Sequence, residues 1–240
     1  MKNITEIKNI FILTLRETLN RKWGSIGALD ARKFPMDIVH AVHGIDGLAY
    51  PDHETLIQDA VSDGFAFFKK NEGFRKIPIG MTAGTWSACR VLRHVLELDR
   101  TALVMEDDWI FRVDYEDILD RLTYCEDDTQ IATLLCKMHH NKNYAVKYAN
   151  KYWIQGVPAS AGGANIYTPA GIELVLKLFG EEKSVTVESV VKGVPFPTAM
   201  TIREPIAYHP LLMGYSRANP EASRQTYTDM FERWDKGYAL

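Results

Sequence analysis

Three consecutive acids, Glu106-Asp107-Asp108, close the apolar run Thr101-Ala102-Leu103-Val104-Met105 and stand just before Trp109. The run reads as a buried strand, and in open α/β sheets ligands bind outside the carboxyl ends of strands. Carboxylates this close repel one another and resist ionisation unless a cation neutralises them. An oxygen-only set of this kind suits Mg²⁺ or Mn²⁺, with a diphosphate supplying further ligands. If the strand continues through the triplet, alternation sends Glu106 and Asp108 to one side and Asp107 to the other. The plainer alternative is a solvated acidic loop capping the next helix, and the buried strand in front favours the cation site. The same triplet recurs as Glu126-Asp127-Asp128 without a strand before it, leading into Gln130–Cys136 (QIATLLC). That copy reads as a turn carrying solvated charge.

A second constellation is basic and aromatic. Lys137, His139, His140, Lys142, Lys147 and Lys151 interleave with Tyr144, Tyr148, Tyr152 and Trp153, with no acid among them. Basic groups attract phosphates, and aromatic rings stack on bases or sugars. Two readings stand: a solvated loop with a few core aromatics, or a groove for a phosphorylated polymer using Lys147, Lys151 and Trp153. Gly162 and Gly163 either let a ligand approach the backbone closely or serve a tight bend.

These residues need a scaffold, and strand-like and helix-like segments alternate along the chain. Ile7–Leu15 predicts a strand, Arg16–Leu29 a helix, and Met36–Val42 a second strand closed by Gly44-Ile45-Asp46-Gly47. Residues 50–80 give no clear period, although they hold Phe65, Phe67, Phe68 and Phe74. Thr82 or Thr85 predicts the cap of a helix whose Ala88, Val91, Leu92, Val95 and Leu96 share a face. A helix over Asp114–Thr123, strands at Gln130–Cys136 and Gly162–Tyr167, and a helix opened by Thr168-Pro169 follow. The part from Gly180 onward reads as loop-rich, with Pro195, Pro197, Pro205, Pro210 and Pro220. Alternation of this kind predicts an α/β fold: a Rossmann-like, mixed but mostly parallel sheet with helices on both faces.

Composition sets the outer limits. The chain has 240 residues, 46% hydrophobic and 25% charged, enough to bury a large core as one domain. A formal charge of -3 excludes a general basic coat for nucleic acid, though not a local strip. Cys89, Cys125 and Cys136 are odd in number and lack zinc-site spacing, so they read as buried thiols in a reducing, cytoplasmic setting. The apolar run Ile10–Leu13 is too short for a leader or a membrane span.

Four segments in order carry a resemblance. IFILTLRETLNRKWGSIGAL with FPMDIVHAVHGIDG, then MTAGTWSACRVLRHVLEL, TALVMEDDWIF and GGANIYTPAGIELVL, together covering about residues 7–180, are similar to glycosyltransferase family 25. That family includes lipooligosaccharide-modifying glycosyltransferases and collagen galactosyltransferases. Thr85-Trp86-Ser87-Ala88 and His94 stand where it usually carries Glu-x-Gly-Cys and a Ser-His pair. The resemblance implies a single GT-A domain, with residues 1–135 on the donor and metal side and 136–240 on the acceptor side. It implies Mn²⁺ or Mg²⁺ and a nucleotide-sugar donor, a UDP-sugar first among them. Asp108 is then the direct metal ligand, and Glu106 touches the donor ribose or reaches the metal through water. Asp107, Arg16 and Arg21 fall to the donor, the arginines meeting its diphosphate or base. His209, in Tyr208-His209-Pro210, either completes the metal shell or is a surface histidine. Inversion at the sugar calls for a carboxylate base, and Glu188 is the first choice, with Asp114 and Glu204 behind it. The acceptor expected is a glycan such as lipooligosaccharide, or alternatively DNA with hydroxymethylated bases, of the kind phages glycosylate. A reading from another class is a non-catalytic module that binds nucleotide sugar.

Overall fold

The computed structural model describes residues 3–15, 19–134, 147–155, 163–181, 184–203 and 206–208. Its centre is β1 (Ile7–Thr14), whose apolar residues alternate between two cores because successive side chains leave a strand on opposite faces. The parallel strands β2 (Val39–His43) and β3 (Thr101–Glu106) flank it, with Ile10 opposite both Val39 and Leu103. Two-residue β4 (Ile110–Phe111) follows β3. Beyond β3 lie β5 (Ile131–Thr133), β6 (Lys147–Tyr148), β7 (Trp153–Gln155), β8 (Ala164–Tyr167) and β9 (Ala199–Ile202). Among the described residues the sheet has eight strands in the order β2-β1-β3-β8-β5-β9-β7-β6. Of these described strands only β7 and β8 run against the common direction, so the sheet is mixed and mostly parallel. Outside it, β4 pairs antiparallel with β10 (Ala207–Tyr208).

Helices cover both faces. Ile10, Ile12, Leu103, Met105 and Ile166 face one core, which is closed by Leu29 at the end of α1 (Leu19–Ala31) and by Ile118 and Leu122 of α5 (Tyr115–Leu122). Phe11, Ala102 and Tyr167 face the other core. There α2 (His53–Ser62), α3 (Phe67–Lys70), α4 (Ile79–Glu97), α6 (Pro169–Glu181) and α7 (Val187–Gly193) contribute Leu56, Phe68, Leu92, Ile172 and Val190. The expected α/β, Rossmann-like architecture is thus present.

Several local expectations change. Helix α4 begins at Ile79 after Pro78, ahead of both threonines proposed as its cap. Thr82 and Thr85 lie buried inside it and donate to the carbonyls of Phe74 and Val185, each at 2.9 Å, so they dock neighbouring segments onto the helix. The unassigned stretch 50–80 is short helices whose phenylalanines stack, Phe68 on Phe74 at 4.3 Å between ring centroids. Among the described residues after Gly180 a helix and a strand stand where the prolines imply loop. Thr186 accepts from the Ser189 amide at 3.2 Å and caps α7, and β9 completes the sheet. Cys89 and Cys125 are free thiols; burial pushes Cys89 far up and Cys125 up to about 12, so both are inert at neutral pH. Among the described residues no helix is long and apolar enough to cross a membrane.

Candidate functional site

The order of the first three strands creates a topological switch. From β1 the chain crosses through α1 on one face to reach β2, then returns through α2–α4 on the other face to reach β3 on the far side of β1. The strand order reverses there, and at such a point in an open α/β sheet ligands bind in the crevice outside the carboxyl ends of the strands. Glu106-Asp107-Asp108 sits at that end of β3, beside Leu13 and Thr14 of β1.

The triplet divides by role. Glu106 is the last residue of β3 and is exposed. Its amide donates to the Gly163 carbonyl at 3.0 Å, and its carboxylate accepts the Trp109 indole N–H at 3.4 Å. The strand ends there, so strict alternation does not extend through the triplet. Asp107 and Asp108 lie in a turn, only 4% and 6% exposed. The Asp107 amide donates to the Leu13 carbonyl at 3.0 Å, and its carboxylate accepts the Thr14 hydroxyl at 2.6 Å. Its carbonyl accepts the Ser25 hydroxyl in a short hydrogen bond. The Asp107 carboxylate is thus buried and tied to Thr14 at the end of β1.

Glu106 and Asp108 are left as the carboxylates whose roles fit a cation. Among the described residues no group of three or more His, Cys, Asp or Glu is gathered to hold one. Mg²⁺ is ordinarily held by one or two carboxylates, with phosphate oxygens and water completing its shell. The donor set therefore fits such an ion when a diphosphate shares it.

Gly163 is placed differently from the expectation. It begins the return into β8 and is buried, and a Cβ there would fall on the Trp109 indole. Its missing side chain makes room for Trp109, not for an acceptor. Trp153 is also revised: it is wholly buried, and its indole N–H donates to the Arg121 carbonyl at 2.8 Å, so no sugar can stack on it. Lys151 is exposed, with its ammonium 4.1 Å from the Tyr124 ring and 4.4 Å from the Tyr152 ring. Lys147 opens β6, and Arg21 lies on α1, where only the main chain is described. Arg16, Gly162, Glu204 and His209 lie outside the described residues.

Glu188 stands in the first turn of α7, which packs on α6 in the layer opposite α1 and α5. An acid there also complements the positive end of the helix dipole. Asp114 is poorly suited to act as a base. The Lys33 ammonium 2.6 Å away holds its carboxyl below the ordinary range, and Arg32 adds to the effect.

The second triplet, Glu126-Asp127-Asp128, is exposed in the turn leading to β5, as its sequence implies. Glu126 and Asp127 line a cleft of about 520 Å³ with Thr5, Asp99 and Thr168, at the opposite end of the sheet from Glu106. Thr14 and Ser25 are neighbours of the acidic turn that motif reasoning passed over. A threonine ending a strand and a serine on a helix's buried face look like ordinary packing until the acids are placed beside them. No family model matches the chain, and a search of curated proteins finds no match.

Proposed function

We propose that the protein is a metal-dependent glycosyltransferase of GT-A type, moving a sugar from a nucleotide-sugar donor, most simply a UDP-sugar, to a hydroxyl of a glycan acceptor. The observation supporting this is the position of Glu106 and Asp108 at the carboxyl end of β3, where the strand order reverses beside β1. When bound, a divalent cation offsets the negative charge that gathers on a departing nucleoside diphosphate. Asp108 and Glu106 are the side chains that hold it. The switch-point crevice takes the donor, with Arg16 and Arg21 on the segment leaving β1 to meet its anionic part. In transfer with inversion, the acceptor oxygen bonds to the anomeric carbon as the bond to the diphosphate oxygen breaks. The electron pair leaves with the diphosphate, and the hydroxyl proton passes to a carboxylate base, for which Glu188 is the proposed residue.

A donor screen by thermal shift tests the reading, because a ligand stabilises the folded form according to its affinity. One nucleotide sugar should raise Tm in the presence of Mn²⁺ and do so much less in chelator. Asp108→Asn should lose that gain together with sugar transfer. If no nucleotide sugar stabilises the chain with or without metal, the proposal is wrong.

A further inference from the structure

The acidic turn is held by groups that belong to neither the cation site nor the donor crevice. Thr14 is 2% exposed and Ser25 is fully buried. Thr14 stands at the carboxyl end of β1, where its carbonyl accepts the Gly44 amide at 2.7 Å from the turn after β2. Its hydroxyl lies 2.6 Å from the Asp107 carboxylate and 3.3 Å from its neighbour Leu15's carbonyl. The shorter bond, to a carboxylate, is the one expected to hold the proton, since charge-assisted bonds are shorter and stronger. Ser25 reaches the same residue from α1, the helix that carries Arg21, through the Asp107 carbonyl. One residue of the turn thus gathers the ends of β1 and β3 and the middle of α1.

The geometry points to Thr14 and Ser25 as positioning residues that act through Asp107, setting the direction of Glu106 and Asp108 and fixing α1 against them. This inference rests on the cation and donor reading above. A turn with Asp107 released has two further carboxylates at undetermined angles, and a divalent ion requires them at fixed ones. Hydrogen bonds made directly to a metal's ligands change affinity by about 10–100-fold when removed, and Thr14 and Ser25 hold the residue between two such carboxylates, which sets the lower end of that range as the expected effect.

The test uses the full chain in four forms: the parent, Thr14→Val, which keeps the shape and removes the hydroxyl, Thr14→Ser, which restores it, and Ser25→Ala. Amide hydrogen exchange without ligand reports whether the turn and α1 are tied. Electron paramagnetic resonance titration of Mn²⁺ with UDP reports the site. The expected result is faster exchange at residues 106–108 and 19–25 in Thr14→Val. Mn²⁺·UDP binding should weaken about tenfold or more, and Thr14→Ser should recover both. Ser25→Ala should move the same two readouts less, and it carries the test if Thr14→Val does not fold. Unchanged exchange, or an opened turn with unchanged binding, overturns the inference. Absence of UDP-dependent Mn²⁺ binding in the parent overturns the cation reading instead, and the exchange data then show separately whether Thr14 and Ser25 fix the turn.

Discussion

Glu106-Asp107-Asp108 and Glu126-Asp127-Asp128 are the same tripeptide at opposite ends of one sheet, and the fold treats them differently. In the second copy all three side chains are exposed, in a turn that merely carries the chain from α5 to β5. In the first, two of the three are sunk to 4% and 6% exposure, and the middle carboxylate is spent on Thr14. Burying charge is costly unless it is matched by hydrogen bonds or a counter-charge. The difference therefore comes from what precedes and surrounds each triplet: a central buried strand, its neighbour β1 and a serine from α1. Composition alone assigns both copies the same chemistry, and of the two only the first is sunk into the fold and hydrogen-bonded to neighbouring elements.

The sharpest way to break the comparison is paired substitution. Asp108→Asn should lower sugar transfer by about two to three orders of magnitude, the scale seen when one electrostatic contact to the developing charge is lost. Asp128→Asn should leave transfer unchanged. A steady-state assay of both variants against the parent decides this, and equal losses would remove the distinction. Glu188→Gln should cost about 10²–10⁴-fold in kcat while donor stabilisation in a thermal shift stays intact. Retained turnover would instead leave Glu188 as a favourable first-turn charge on α7.

Stability should separate the same two turns. Asp107→Ala should destabilise by about 2–3 kcal/mol, since it leaves the buried Thr14 hydroxyl without its charged acceptor, whereas Asp127→Ala should stay within about 0.5 kcal/mol. Urea unfolding of the two variants measures both. Gly163→Ala should cost about 1–3 kcal/mol by overpacking against Trp109, with a shift in tryptophan emission.

A smaller effect concerns Asp63, a carboxylate whose partners are all visible. Burial raises its pKa, but hydrogen bonds from Trp86 and Arg93 and the charges of Arg93 and Arg90 prevail and hold it below the ordinary value. A carboxyl depressed in the folded state adds stability above its unfolded pKa and loses it as pH falls through the folded one. Asp63→Asn should therefore lower Tm at neutral pH and flatten the fall of Tm in acid. A parallel acid limb in the parent and the variant would contradict that account.

The parts of the fold written in periodic apolar residues were legible beforehand. Strands β1 and β3 and helices α5 and α6 lie close to where their patterns place them. The ends were less legible, because they depend on contacts made elsewhere. Thr82 has the chemistry of a cap yet serves as a clamp on Phe74, and Pro78 starts the helix instead. That a buried strand runs into the acids after Met105 was legible from the apolar run in front of them. Their different surroundings were not, since these depend on the strand stopping at Glu106 and on Thr14 and Ser25 arriving beside Asp107. Trp153 and Gly163 misled for a related reason: an aromatic among lysines, or a glycine pair, has the same letters whether it faces a ligand or a core.

The central claim, that the turn after β3 holds a divalent ion together with a nucleoside diphosphate, is tested most directly by Mn²⁺ resonance titration of the parent, Asp108→Asn and Asp128→Asn, each with and without UDP. The account predicts UDP-dependent binding in the parent and in Asp128→Asn, and its loss in Asp108→Asn. Equal binding by Asp108→Asn and the parent, or none in the parent, would contradict it.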